Sequence, residues 1–354
     1  MEHHDLNIPT NTGKPLVVSL GAPLHARQDF LDAFSDDHDL HILPASNRTE
    51  TIALLAKLIS SLQGRPISAL LIRMGTPPYE PFDAELLGSL VPAGCRIIAS
   101  ASAGYNEFDV DWMTRSGIYF CNTVNAVSEA TADMAIWLIL SVLRNTGNAE
   151  RNARSGKWRA GLPVARDPRG LKLGIVGCGA IGRHLVRKAR VFGMTVVYHN
   201  RRRLAEEVER ELGLSDVAYY GELKEMLREV DVVSVNCPLN EQTKGLIGRE
   251  EFEVMKDGVF LVNTARGAIV DEDAVIEALE HGKVTRAGLD VFTGEPTVNP
   301  YFLRSDKVVL QPHMGGLTDI ALRDAEREAF ENIRAFFRTG KPNSPVNEPV
   351  QRSE

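Results

Sequence analysis

The chain has 354 residues, 44% hydrophobic and 25% charged, which is enough apolar material for two cores. A formal net charge of −7 argues against a general nucleic-acid or anionic-membrane surface. The four cysteines, Cys95, Cys121, Cys178 and Cys237, lie far apart with neither disulfide nor metal-ligand spacing, so reduced thiols in the cytoplasm and no metal are expected.

The opening "MEHHDLNIPTNTGK" is polar and holds no secretory apolar region. "LVVSL" (16–20), "ISALLIR" (67–73) and "RIIAS" (96–100) read as buried strands, punctuated by Gly and Pro clusters such as "GTPPYEP". A long apolar helix is expected from about Val127 to Arg144; its core "MAIWLILSVL" is too short to span a membrane. A polar stretch, 151–170, follows. A second alternation then begins. "KLGIVG", "TVVYHN", "DVVSVN", "GVFLVN", "RAGLDV" and "VVLQPH" read as strands, and "AIGRHLVRKARVFG", "GELKEMLREV" and "DEDAVIEALEHG" as helices. The last helix, about Thr318 to Arg338, has no partner in this second set and is expected to return to the first. The expected fold is α/β with two Rossmann-like domains. One is a discontinuous flavodoxin-like substrate domain, 1–124 and 318–354. The other is a doubly wound dinucleotide-binding domain, 125–317.

"GCGAIG" sits between a strand and a helix. There Gly177 permits a tight turn, Gly179 lets a pyrophosphate approach the backbone, and Gly182 lets helix and strand pack closely. The helix N-terminus at Ala180 and Ile181 offers free N–H groups to phosphate. The strand that follows ends at Asn200, where an NAD site usually has an acid for the ribose 2′-hydroxyl. A carboxylate there would repel a 2′-phosphate and Asn does not, while Arg201, Arg202 and Arg203 can bind phosphate bidentately. NADP(H) is therefore expected over NAD(H).

Three further segments end strands: "NTARGAIV" with Arg266, "AGLDVFTGEP" with Glu295, and "QPHMGG" with His313. Reducing a 2-oxo acid needs a proton for the carbonyl oxygen, which histidine supplies near neutral pH. A carboxylate behind the imidazole fixes its tautomer, and a guanidinium binds the substrate carboxylate. His25, His38, His41, His184 and His281 are assigned to surfaces without a role.

With these segments, "DVVSVNCPL" and "SAGYNEFDV", the sequence resembles the D-isomer-specific 2-hydroxyacid dehydrogenase family from about Leu16 to Arg338. "ATADMAIWLILSVLR" and "DPRG" look most like its fungal D-mandelate dehydrogenase and glyoxylate/hydroxypyruvate reductase branches. The resemblance implies NAD(P)H-dependent reduction of a 2-oxo acid to the D-2-hydroxy acid, and the reverse. It implies that backbone N–H groups of Ala103 and Gly104 hold the substrate carboxylate with Arg266, and that Met74 and Gly75 touch the substrate side chain. It further implies that Asp290 bonds the nicotinamide carboxamide, that Thr264 and Ala265 contact the nicotinamide ribose, and that Cys237 and Pro238 line the adenosine side. Thr131 would approach the cofactor phosphates, and His313, Gly315 and Gly316 would border the nicotinamide. A homodimer is the family norm. Within the family, Gln in place of Glu295 marks formate dehydrogenases, and phosphoglycerate dehydrogenases carry a regulatory domain after the closing helix. A catalytically silent, dinucleotide-sensing corepressor is the alternative from another class, and the intact Arg266, Glu295 and His313 argue against it.

Overall fold

The structure is a computed structural model that describes residues 12–29, 37–73, 75–214 and 219–350. The chain divides into two compact units, Met1–Val127 with Thr318–Glu354, and Ser128–Leu317.

The first unit is built on a five-stranded sheet of β1 (Leu16–Leu20), β2 (Asp39–Leu43), β3 (Ile67–Ile72), β4 (Ile97–Ser100) and β5 (Tyr119–Cys121). Their order is β2-β1-β3-β4-β5, and every pairing is parallel. A parallel sheet is covered on both faces, so its strands read as unbroken apolar runs; β1 is buried at all five positions. The closing helix Asp319–Thr339 starts at a Thr318 N-cap, stops at Gly340 (φ +78°), and packs on β3 and β4 of this unit. It carries one buried carboxylate, Glu326, and one half-buried, Glu328. Glu326 accepts the N–H groups of Leu24, His25 and Ala26 at 2.9, 2.9 and 2.6 Å. Glu328 accepts from Ala126 N at 3.1 Å, and burial pushes its carboxyl above the usual range.

The second unit carries β6 (Lys172–Val176), β7 (Thr195–His199), β8 (Tyr219–Tyr220), β9 (Val232–Val235), β10 (Val259–Asn263), β11 (Val284–Leu289) and β12 (Val308–Leu310). The order is β12-β11-β10-β9-β6-β7-β8, again wholly parallel. The strand order reverses at β6 and β9, the switch point where such sheets open a ligand crevice.

The long helix begins at Val124, three residues before its expected start, and runs to Arg144. Over its full 21 residues it is long and apolar enough to cross a membrane, although its apolar core alone is not. Its Ala132, Ala135, Leu138, Ile139 and Val142 are fully buried, packed with Leu173 and Ile175 of β6. Gly288 on β11 faces it without a side chain; a Cβ there would press on Leu138 at 3.1 Å.

Three strands go beyond what the sequence pattern predicts. β2 mixes Asp39 and His41 into "DLHIL", β5 is three residues long, and β8 is two. None offers the apolar run that marks the others. The helix expected over "GELKEMLREV" is confined to Leu223–Leu227, and part of the polar stretch after the long helix is itself helical, Thr146–Arg154. His38 and His41, expected on a surface, are only 6% and 4% exposed; the short strand β2 carries His41 into the first core.

Candidate active site

Backbone contacts shape the glycine loop. Gly177 has φ +93°, and a Cβ there would strike Cys237 N at 2.6 Å, so β6 and the end of β9 meet backbone to backbone. A Cβ on Gly182 would press on Gly177 O at 2.8 Å. Gly179 caps the helix Ala180–Val191 without a side chain and has open space before it. The N–H groups of Ala180, Ile181 and Gly182 have no partner among the described residues. Unpaired donors at a helix N-terminus favour an anion. Two buried oxygens at neighbouring strand ends, Asn236 Oδ1 after β9 and Thr264 Oγ1 after β10, also lack a partner among the described residues. The set fits a dinucleotide: phosphate donors on the loop and unsatisfied polar groups at the adjoining strand ends. Burial holds the Cys178 thiol up at about 12 and the Cys237 thiol at about 11, so both are packing residues rather than thiolates.

At the end of β7, Asn200 Oδ1 accepts the Cys178 N–H at 2.7 Å, and Tyr219 donates its hydroxyl to the Asn200 carbonyl at 2.9 Å. The amide oxygen thus braces the glycine loop and leaves the Nδ2 donor for a ligand. Arg201 reaches Gln242 Oε1 at 2.8 Å, and Arg202 has no side-chain partner among the described residues. Arg203 departs from its expected role. Its Nε and Nη2 both bind Glu209 at 2.9 Å, and Glu209 is 3% exposed and also receives the Tyr198 hydroxyl at 2.5 Å. A buried carboxylate needs a cation, and this one claims Arg203. The hydrogen bond from Arg203 lowers the Glu209 carboxyl against the effect of burial. Nothing in the polar run "EEVERE" marks Glu209 as different from its neighbours.

The loops carrying Arg266, Glu295 and His313 follow β10, β11 and β12. Glu295 Oε2 lies 2.7 Å from His313 Nδ1, and Oε1 accepts Phe292 N–H at 2.8 Å. Burial raises the Glu295 carboxyl, but the His313 and Phe292 hydrogen bonds and the charges of His313 and Arg266 outweigh it and hold it below its usual range. Arg266 donates to the Ala265 carbonyl at 2.7 Å, and Asn263 braces the same turn through Ala265 N and Arg266 O. Gly267 explains why the Arg266 and Glu295 loops lie together: a Cβ on it would collide with the Phe292–Thr293 peptide.

His313 adopts φ +56°, a left-handed conformation that is uncommon without glycine. Asp290, 1% exposed, holds it there. Its carbonyl accepts His313 N at 2.8 Å, and its carboxylate accepts Met314 N at 2.7 Å and Gly315 N at 2.9 Å. Burial raises the Asp290 carboxyl despite these bonds. A Cβ on Gly315 would press on Asp290 Oδ2 at 2.9 Å and on Thr131 Cγ2 at 3.3 Å, which places Thr131 beside this turn. Asp290, expected at a nicotinamide carboxamide, thus braces the His313 turn with one bond to each carboxylate oxygen. Gly316 follows, half-buried. Pro238 is exposed, and its carbonyl accepts the Thr243 hydroxyl at 2.6 Å.

In the first unit, Gly75 (φ +97°) follows β3, and Ala103 and Gly104 follow β4. Met74 lies outside the described residues. Two cavities of about 530 and 570 Å³ lie at the opposite end of the second sheet, against Val284 and Val259 where β11 and β10 begin, and are lined by none of the Arg266, Glu295 and His313 set.

The model of the D-isomer specific 2-hydroxyacid dehydrogenase NAD binding domain matches residues 136–315. The protein named dehydrogenase efuE of Hormonema carpetanum is 55% identical over 331 residues, 94% of this chain and 81% of that one. The crystal structure of a glyoxylate reductase from Paecilomyes thermophila superposes with TM-score 0.86 at 36% identity, covering 94% of this chain and 98% of that one. The apo D-mandelate dehydrogenase of Rhodotorula graminis superposes with TM-score 0.83 at 31% identity, covering 96% and 100%. With a matching domain model, a relative matched over 94% of this chain and the imidazole–carboxylate pair at the strand ends, this chain belongs to the D-isomer specific 2-hydroxyacid dehydrogenases, oxidoreductases that use a nicotinamide dinucleotide.

Proposed function

We propose that the protein reduces a small 2-oxo acid, with glyoxylate the first candidate, to the 2-hydroxy acid, the D isomer wherever the product is chiral, and uses NADPH in preference to NADH. Hydroxypyruvate, branched 2-oxo acids and phenylglyoxylate belong to the same candidate panel. The reduced nicotinamide, when bound, supplies the hydride. His313 delivers the proton to the carbonyl oxygen from Nε2, because Nδ1 faces Glu295. Glu295 fixes that tautomer and stabilises the imidazolium. Arg266 offers its guanidinium to a carboxylate. In the fit of the cofactor, Ala180 to Gly182 take the pyrophosphate, with Thr131, Thr264, Ala265, Cys237 and Pro238 along its length.

The preference for NADPH rests on Asn200. Its oxygen is committed to the Cys178 N–H, so the face left for the ribose is a donor, with Arg202, unpaired among the described residues, and the tethered Arg201 on the same turn. Such a face welcomes a 2′-phosphate. Asn200→Asp keeps the acceptor for Cys178 and replaces only the ligand-facing donor, so the loop survives. Initial rates with glyoxylate, for Asn200→Asp alone and with Arg201→Ala, are expected to shift the NADPH:NADH ratio of kcat/KM at least tenfold toward NADH. An unchanged ratio rejects the assignment.

We extend the proposal to a cytoplasmic homodimer. Four free thiols support the compartment. Trp137, Trp158 and Val164 support the dimer: they are 45%, 70% and 101% exposed on the second unit, apolar surface that a second copy would cover.

A further inference from the structure

After β4 the chain runs through Ser102, Ala103, Gly104 and Tyr105, and three successive carbonyls there are tied down. Ser102 O accepts Thr123 N–H at 3.0 Å. Ala103 O accepts Asn122 Nδ2 at 2.7 Å. Gly104 O accepts the Ser102 hydroxyl at 3.1 Å, and that hydroxyl lies 2.8 Å from Ser100 Oγ. In a planar trans peptide the carbonyl and the following N–H point in opposite directions. Anchoring three carbonyls therefore turns the N–H groups of Ala103, Gly104 and Tyr105 away from their anchors. None of the three has a hydrogen-bond partner among the described residues. Backbone donors are seldom left unpaired, and a run of them is an anion-binding nest.

We propose that Asn122 is a positioning residue for the substrate carboxylate: by pinning the Ala103 carbonyl it aims the Gly104 N–H at the anion, within a nest that also includes the Tyr105 N–H. This rests on the reading that the enzyme takes 2-oxo acids by their carboxylate. Asn122 is 5% exposed at the end of β5, a different strand from the loop it braces. An amide suits the task because its Nδ2 is a neutral donor. It fixes the carbonyl without a formal charge beside the nest: an ionised carboxylate could not donate to the carbonyl and would repel the anion, and an ammonium would compete for it. Ser102 does the same for the Gly104–Tyr105 peptide from within the loop.

The test compares glyoxylate with its neutral amide, glyoxylamide, at saturating NADPH, with NADPH Kd measured separately by fluorescence. Wild type is expected to prefer the acid; no preference would refute the carboxylate reading itself, before any variant is made. Asn122→Ala is expected to lower kcat/KM for glyoxylate about tenfold, carried by KM, the effect of losing one hydrogen bond that aligns a charged contact. Turnover of glyoxylamide and NADPH Kd are expected to hold, so the acid-over-amide ratio falls about tenfold. Ser102→Ala is expected to move the ratio about threefold in the same direction, and it decides the matter if Asn122→Ala does not fold. A merely structural role lowers both substrates together. An unchanged ratio in the folded variants overturns the proposal while leaving the carboxylate reading intact.

Discussion

Glu295→Gln tests the imidazole–carboxylate pair with almost no change of shape. Glu295 uses Oε1 for the Phe292 N–H and Oε2 for His313 Nδ1. The glutamine must keep its oxygen on Phe292, because a backbone donor left without an acceptor costs about 1–3 kcal/mol. Its NH2 group then faces Nδ1, and an imidazolium would set donor against donor. A hydrogen bond between charged groups is worth roughly 1.5–3 kcal/mol. The two side chains are 44% and 34% exposed, so the lower end applies. About 1.4 kcal/mol corresponds to one pH unit. The alkaline limb of the reductive kcat/KM profile is therefore expected to move about one unit toward acid, wherever wild type places it. Oxidation is expected to slow as well, because the neutral ring now carries its proton on Nε2, where the base should be. Profiles in both directions, with NADPH Kd as a control, read this out. A limb that stays in place, with rates within twofold of wild type, would refute the pairing as the source of proton transfer.

Gly267→Ala drives a methyl group into the Phe292–Thr293 peptide and separates the Arg266 and Glu295 loops. We expect a stability loss of about 1–3 kcal/mol in thermal melts and a fall in kcat of at least tenfold, and a fully active variant would contradict the contact. Asp290→Ala frees the Met314 and Gly315 N–H groups and the left-handed His313 turn. Turnover of glyoxylate is expected to fall more than tenfold while the glycine loop keeps its cofactor affinity, and equal losses in both would assign Asp290 to the cofactor instead.

Much of this site is legible in the chain because glycine and apolar strands have strong local signatures. β6 and β10 are runs of mostly buried apolar residues, β11 ends in a buried Ala-Gly-Leu, and Arg266, Glu295 and His313 each fall beyond such a stretch or its partner strand. Gly177 and Gly182 sit where a side chain would meet backbone, which is the reason their spacing is diagnostic. What stays hidden depends on contacts far apart in sequence. Arg203 looks equivalent to Arg201 and Arg202 until Glu209 is seen buried beneath it. Asn122 is one polar residue after a three-residue strand, and its target, Ala103, is nineteen positions earlier. Family likeness gives Asp290 a ligand, and its hydrogen bonds add a clamp on the turn that follows β12, which no local pattern marks. Burial and pairing, rather than residue type, decide each of these cases.

The divided labour of the Asn200 side chain has a consequence for how such a loop can change. One end of the amide maintains the architecture of the loop by accepting the Cys178 N–H, and the other is left without a structural duty. Exchange of Asn for Asp conserves the first and alters the charge of the second. If Asn200 selects the coenzyme as proposed, that choice can drift over evolutionary time without passing through an unfolded intermediate, since the substitution that redirects it leaves the architectural bond in place.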